Sequence, residues 1–322
     1  MNTKLSVANA AVSLVASPAL ALLSYLEHRK TIHPSLIIES YLAISLLFDA
    51  ARVRTLWLQG YNDHVAVATI VSFAVRCALL IAEAIEKRGI LRIEWRKLSP
   101  EATSGLFGKN FFWWLNPLFL TGFSRCLDID DLLPLDKHLT SDYLYHRLHA
   151  AWAKSAGKRS LLLSCFSQLR WTLLWVVPPR LGLVAFNFCQ PFLIQRTISL
   201  SQEPVNGGTT NVGYGLIGAY FLVYCGIAFT SAQYQHLTYR AITMARGGLI
   251  SMLFAKSSFL ENDAVDSGAA LTLMSADIER ITNGWSTMHE IWANVIEVAV
   301  AVYLLERQLG VACTIPLAVA IG

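Results

Sequence analysis

Two long stretches of this chain carry no charged side chain. Residues 5–26 and 204–239 contain no Asp, Glu, Lys or Arg. A helix that crosses a bilayer needs roughly 20 largely apolar residues, because the hydrocarbon core is about 30 Å thick. Within that core every backbone amide must be satisfied by the chain itself, so an apolar run of this length forms a helix. The composition agrees. Hydrophobic residues make up 54% of the 322 and charged residues only 15%, with a mean hydropathy of +0.46, whereas a soluble domain carries about 25% charged residues. The sequence therefore predicts an all-α, polytopic membrane protein.

Hydrophobic segmentation places spans at roughly 8–26, 35–51, 65–86, 171–198, 213–235 and 289–306, with a seventh beginning near Val311. The N-terminus has the outline of a signal peptide, with Lys4, an apolar run and the small residues Ala19 and Ala21. That run ends in Glu27-His28-Arg29-Lys30, as a stop-transfer segment does, so the span is read as retained. Residues 87–165 hold 12 of the 26 Lys and Arg residues, which assigns them to the cytoplasm by the positive-inside rule. The stretch 199–212 has no Lys or Arg and reads as an external loop. The stretch 236–288, with Arg240, Arg246, Lys256 and Arg280, reads as cytoplasmic again. Its length and helical pattern imply two helices projecting beyond the membrane, joined by a turn near Glu261-Asn262-Asp263. The N-terminus is then external. The basic residues alternate with acids and bring no base-stacking module, so no nucleic-acid partner is expected. Six cysteines are present and none forms a CxxC pair, which excludes a disulfide framework or a zinc site. Cys77, Cys189, Cys225 and Cys313 lie in apolar segments and read as small core residues.

Residues 99–136 read SPEATSGLFGKNFFWWLNPLFLTGFSRCLDIDDLLPLD. This segment resembles the cytoplasmic linker of subfamily-C ABC transporters, the multidrug-resistance-associated type. Its Ser-Pro-Glu, Phe-Trp-Trp-Leu-Asn-Pro-Leu, Gly-Phe-x-Arg-x-Leu and Asp-Leu-x-Pro-Leu-Asp elements follow the family order. Residues 267–309 resemble the first intracellular loop and third core helix of the same family, most closely its fungal multidrug branch. Taken alone, Phe107, Phe111, Trp114 and Leu118 share one helical face, suited to the headgroup region beside the core helices or to ordinary packing against protein. Asn116-Pro117 marks a helix boundary.

The resemblance implies three parts: residues 1–86, a partial N-terminal transmembrane bundle of three spans; 87–165, a lasso-like linker; and 166–322, the first part of an ABC type-1 transmembrane domain. The family has more N-terminal spans, a second transmembrane domain and nucleotide-binding domains, so the chain reads as an N-terminal fragment. The 12 residues from Val311 to Gly322 are too few to cross a bilayer. The expected function is the transmembrane part of an ATP-driven exporter of amphipathic or conjugated organic compounds, inactive by itself. The alternative is a membrane docking or trafficking module without transport. No cofactor is expected in this chain, since ATP and magnesium belong to the family's nucleotide-binding domains. The implied partners are the lipid bilayer, those domains, the second transmembrane domain and an organic substrate, in a plasma or vacuolar membrane.

Several lookalike motifs fail on physical grounds. Gly213 to Gly218 fits GxGxxG but follows a polar loop rather than a strand and has no acid about 20 residues later. Its glycines read instead as small residues for helix–helix packing. Gly105 to Asn110 lacks the first glycine and the Ser or Thr of a P-loop. His289-Glu290 lacks the second histidine of a zinc-binding HExxH, since Ala293 stands there. Asp128, Asp130 and Asp131 lack the glycine and terminal glutamate of a calcium loop.

Polar residues inside a span are costly and face a cavity or a partner. On span 171–198, Arg180, Asn187, Gln190 and Gln195 fall within about 140° at 100° per residue, and Pro178, Pro179 and Pro191 should kink the helix. On 213–235, Tyr220, Tyr224, Ser231 and Tyr234 share a face. On 289–306, Glu290, Asn294 and Glu297 share another. Arg180, Asn187, Gln190, Tyr220, Tyr224, Ser231 and Glu297 are the substrate-path candidates, with helix–helix hydrogen bonding as the other reading. Arg180 and Glu297 each lie roughly 12–14 Å into the membrane at about 1.5 Å per residue, so they are expected at one depth, paired or sharing a wet cavity. Arg76, mid-span, reads as having a partner inside its bundle or as snorkelling toward the interface. Ser257, Glu261, Asp263 and Asp266 are coupling-loop candidates, implied by the family match to meet a nucleotide-binding domain.

Overall fold

The computed structural model describes residues 4–58, 63–85, 87–89, 91, 98–154, 161–204, 206–259 and 272–310. Among the described residues the regular structure is entirely helical. The chain divides into two units, Met1–Asp136 and Lys137–Gly322, so residues of the basic linker fall in both.

The first unit opens with three long helices, α1 (Lys4–Lys30), α2 (Leu36–Leu58) and α3 (Asp63–Ala84). His28, Arg29 and Lys30 occupy the last turn of α1, where cations oppose the helix dipole. Helix α2 packs against α3, and Arg76 of α3 is paired with Asp49 of α2. The partner expected for this mid-span arginine is thus an acid on the neighbouring helix.

The linker then folds onto this bundle as short pieces: α4 (Pro100–Thr103), α5 (Leu106–Phe111), a one-turn helix at Trp113–Leu115 and α6 (Asn116–Ser124). Helix α5 touches both α2 and α3. The boundary expected at Asn116-Pro117 is the start of α6, where a proline lacks nothing because its N–H would be unpaired anyway. A continuous aromatic face from Phe107 to Leu118 does not form. Phe112 adopts a left-handed conformation, φ 54 and ψ 31, which ends α5 and re-aims the chain. Stacking instead follows the break, with Phe107 on Phe111 at 6.4 Å and Phe111 on Trp113 at 5.6 Å.

The second unit is built from α7 (Ser141–Lys154), α8 (Leu161–Gln202), α9 (Gly207–Ser258) and α10 (Ile278–Leu309), the last preceded by a π-helical turn at Leu273–Asp277. Helices α8 and α9 pack along each other, and α10 packs against both. Leu144 and Leu148 of α7 sit in the core with Leu169, Met244, Leu249 and Trp285. Phe166 stacks on Trp285 at 4.7 Å. A Cβ on Gly247 would stand 2.9 Å from Leu144 Cδ1, so this glycine is what lets α7 approach α9.

With 52 residues, α9 is about 78 Å long at 1.5 Å per residue, far beyond the bilayer core. That length leaves room for the projecting helix expected at the start of 236–288, and the turn at 261–263 lies outside the described residues. So does the stretch from Val311. The loop expected at 199–212 is shorter than the sequence implied. Helix α8 ends at Gln202 and α9 begins at Gly207, with Asn206 N–H donating to Thr209 Oγ1 at 2.7 Å. Helix α8 also continues unbroken through Pro178, Pro179 and Pro191, which neighbouring helices permit in membranes.

Four helices among the described residues are long and apolar enough to cross a membrane: His64–Ala84, Leu161–Gln202, Gly207–Ser258 and Met274–Gln308. Their outward faces are studded with bare apolar side chains, including Trp175 at 68%, Phe221 at 67% and Val298 at 58% exposure. A soluble monomer rarely exposes large contiguous apolar patches, and lipid tails cover such faces. The protein is an all-α, polytopic, integral membrane protein.

Two packing expectations are corrected. An added Cβ on Gly215 or Gly218 meets nothing within 4 Å, and one on Gly213 meets only Leu200 at 3.7 Å. The close approach between α8 and α9 is made at Gly226, whose added Cβ would fall 2.5 Å from the Phe186 ring. Among the described cysteines, Cys165 is the buried one, while Cys189 and Cys225 are exposed. Apolar neighbours in sequence did not place them in the core, because in a membrane helix the lipid face is as apolar as the interior.

Candidate functional site

The polar centre of the second unit lies where α8, α9 and α10 meet. Arg180 of α8 is 8% exposed. Its Nη2 stands 3.3 Å from Oε1 of Glu297 on α10. Its guanidinium lies 5.3 Å from the ring centre of Tyr234 on α9. The expected pairing of Arg180 with Glu297 is therefore present, and an aromatic face completes it. Burial in low dielectric strengthens such a pair, and the ring quadrupole adds a cation–π attraction.

The contact is ionic rather than hydrogen-bonded. Arg180 Nε, Glu297 Oε1 and Tyr234 Oη are all buried and have no hydrogen-bond partner. Gln233 Nε2 and His289 Nε2 are in the same condition, His289 accepting at Nδ1 from Trp292 Nε1 at 3.1 Å. Buried polar atoms are normally satisfied. Arg180, Glu297 and Tyr234 are thus held by charge and ring contact alone, with donors and an acceptor left unused.

The other path candidates are not drawn into this centre. Asn187 is exposed and accepts from Gln190 Nε2 at 3.4 Å. Tyr220 meets Thr197 Oγ1 at 3.2 Å and stacks on Tyr224 at 6.4 Å, and Tyr224 is 55% exposed. Ser231 is half-buried, and Gln195, Glu290 and Asn294 are exposed. The four residues assigned to one face of α9 thus divide, Tyr234 turning inward and Tyr224 outward. Ser257 lies in the last turn of α9, its hydroxyl donating to Phe254 O at 2.9 Å. Glu261, Asp263 and Asp266 lie outside the described residues. Among the described residues no three His, Cys, Asp or Glu side chains converge as metal ligands do.

One residue escaped the sequence reading. Glu39 of α2 is 0% exposed, and its Oε2 accepts from the Leu106 backbone N–H at 2.7 Å. A residue of α2 thereby caps the first turn of the linker helix α5. The available signal was an acid inside an apolar run, a position normally reserved for a specific partner.

No protein-family model matches the chain. Curated relatives align with it from end to end. An ABC-type transporter of Gibberella zeae is 52% identical over 323 residues, covering 100% of this chain and 22% of the relative. ABC multidrug transporter B of Aspergillus fumigatus is 51% identical over 99% of this chain and 22% of its own length. The chain is homologous to fungal ABC-type transporters. ABC multidrug transporter lscH of Purpureocillium lilacinum, 40% identical over 99% of the chain and 21% of its own length, extends the same relationship. The chain spans about a fifth of the length of the curated relatives it matches.

Proposed function

We propose that the chain forms the leading transmembrane part of a subfamily-C ABC exporter that moves amphipathic or conjugated organic compounds. The observation that carries this is the end-to-end alignment with relatives named as multidrug transporters, joined to the linker sequence at residues 99–136. Nucleotide-binding domains and a second transmembrane domain are its partners in this reading. They bring ATP and magnesium, since phosphoryl transfer needs a phosphate-cradling loop and an acid for the metal and no segment of the 322 residues has that pattern. The target membrane is the plasma or vacuolar membrane.

Within this reading Arg180, Glu297 and Tyr234 bound the substrate path. An anionic conjugate draws the guanidinium from Glu297, and an aromatic compound lies on Tyr234. Asn187, Gln190, Tyr220, Tyr224 and Ser231 continue the path along α8 and α9, where generic polar and aromatic groups suit a broad-specificity cavity. Ser257 and the acids at 261, 263 and 266 form the coupling turn.

The test is water access. In a cysteine-free background assembled with the remaining domains, cysteines at positions 187, 220 and 231 should react with a membrane-impermeant thiol reagent, and transported substrate should protect them. Positions facing lipid do not react, and unreactive cysteines at all three would remove these residues from the path.

A further inference from the structure

A cavity of about 580 Å³ lies between the end of α3 and the linker docked beside it, a volume usual for a small organic ligand. The α3 side contributes the branched side chains of Leu80, Ile81 and Ile85. The linker side contributes the rings of Phe107, Trp113 and Trp114, and no lining residue carries a charge. The Trp114 indole N–H is buried, out of a ligand's reach. The rings are held in place. Trp113 stacks on Phe111, and Phe111 on Phe107. Phe112, alone among the described non-glycine residues, has a positive φ, 54, which bulky side chains rarely adopt. That turn ends α5 before Trp113 and sets both indoles across from α3 instead of along the α5 wheel. Strained backbone of this kind persists where its surroundings demand it and gathers at ligand sites. Helix α3 is long and apolar enough to cross a membrane, and Ile81 and Ile85 are exposed, so a ligand reaches the cavity from the bilayer.

We propose that this cavity binds a membrane sterol, its planar ring system lying between the linker aromatics and the branched side chains of α3. The lipid around a spanning helix is as apolar as the cavity, so a ligand gains nothing merely by leaving it. Packing and the cost of ordering then select the occupant. A rigid, flat molecule offers broad van der Waals contact to ring faces and has few torsions to freeze. An acyl chain has many torsions, and immobilising them costs free energy. A phosphate group finds no cation on the lining. The site uses none of the residues assigned to the transport path, so it stands or falls separately from the exporter reading.

The test is photolabelling of the full 322-residue chain in phosphatidylcholine nanodiscs, with a photoreactive cholestanol as the probe. Peptides containing residues 80–85 and 107–117 should be labelled saturably. Unlabelled cholestanol, whose rings lie flat, should compete, and coprostanol, whose first two rings are fused at an angle, should compete only weakly. Trp113→Ala removes one ring at an exposed position. It should weaken labelling about three- to tenfold, the contribution of an aromatic contact. Ile81→Trp, also at an exposed position, fills the cavity and should abolish labelling. Labelling of both variants equal to wild type would overturn the proposal, because the probe would then lie against the outer face of α3. Equal competition by cholestanol and coprostanol would overturn it as well, since planarity would select nothing. So would a photoreactive acyl-chain phosphatidylcholine whose labelling of Trp113 and Trp114 is lost in Ile81→Trp but undiminished by cholestanol, which makes a lipid chain the occupant.

Discussion

Arg180 is held between one carboxylate and one aromatic ring, and that pairing sets what its removal does. Arg180→Ala leaves Glu297 without a counter-charge inside the helix bundle. The expected cost is about 3 kcal/mol, read as a lower thermal unfolding midpoint in nanodiscs. Replacing both residues by Leu and Met removes the orphan charge, and the double variant should be more stable than Arg180→Ala. A double variant at least as unstable as Arg180→Ala would mean the pair contributes packing rather than charge compensation. Glu39 makes a second test. Glu39→Leu strips the acceptor from the Leu106 N–H and leaves it buried, at a cost of roughly 1–3 kcal/mol. That Arg180 and Glu297 stand at one level was legible by counting residues from each span's expected inner end. The inward turn of Tyr234 was not. The charge pattern drew the inner boundary of its span at residue 235, yet Tyr234 meets Arg180, which counts to roughly 12–14 Å inside at about 1.5 Å per residue. Charge marks where a helix can leave the membrane, whereas packing decides which level of one helix faces which level of the next.

Among the elements, the long helices were readable and the linker was not. Long apolar runs with few charges specify helices whatever their neighbours are, so α3, α8, α9 and α10 follow from composition alone. The linker depends on contacts distant in sequence. Glu39 caps α5 from 67 positions away, and Phe112 breaks the helical wheel at a residue with no special turn propensity. Gly105 gives this docking its narrowest point. A Cβ there would stand 2.4 Å from Glu39 Oε1 and 2.9 Å from Pro34 Cβ, closer than any side chain tolerates. Gly105→Ala therefore has to push α5 off the bundle or strip Glu39 from Leu106, at about 1–3 kcal/mol. Tryptic cleavage after Lys109 should become faster in that variant, with little change at Arg246 in the other unit. Unchanged cleavage at Lys109 would show that the linker accommodates the methyl group.

For the molecule as a whole, the exporter reading rests on a chain that aligns along its full length with transporters of which it spans about a fifth. The measurement that bears most directly on it is a segment exchange. In ABC multidrug transporter B of Aspergillus fumigatus, 51% identical to this chain, the aligned segment is replaced by these 322 residues, and drug efflux is measured in cells and vesicles. The exchanged protein should insert in the membrane, hydrolyse ATP in the presence of magnesium and export the parent's substrates, and Arg180→Ala within it should reduce that export. An exchanged protein that reaches the membrane intact, binds ATP and exports no more than a variant disabled in ATP hydrolysis would contradict a transport role for this chain.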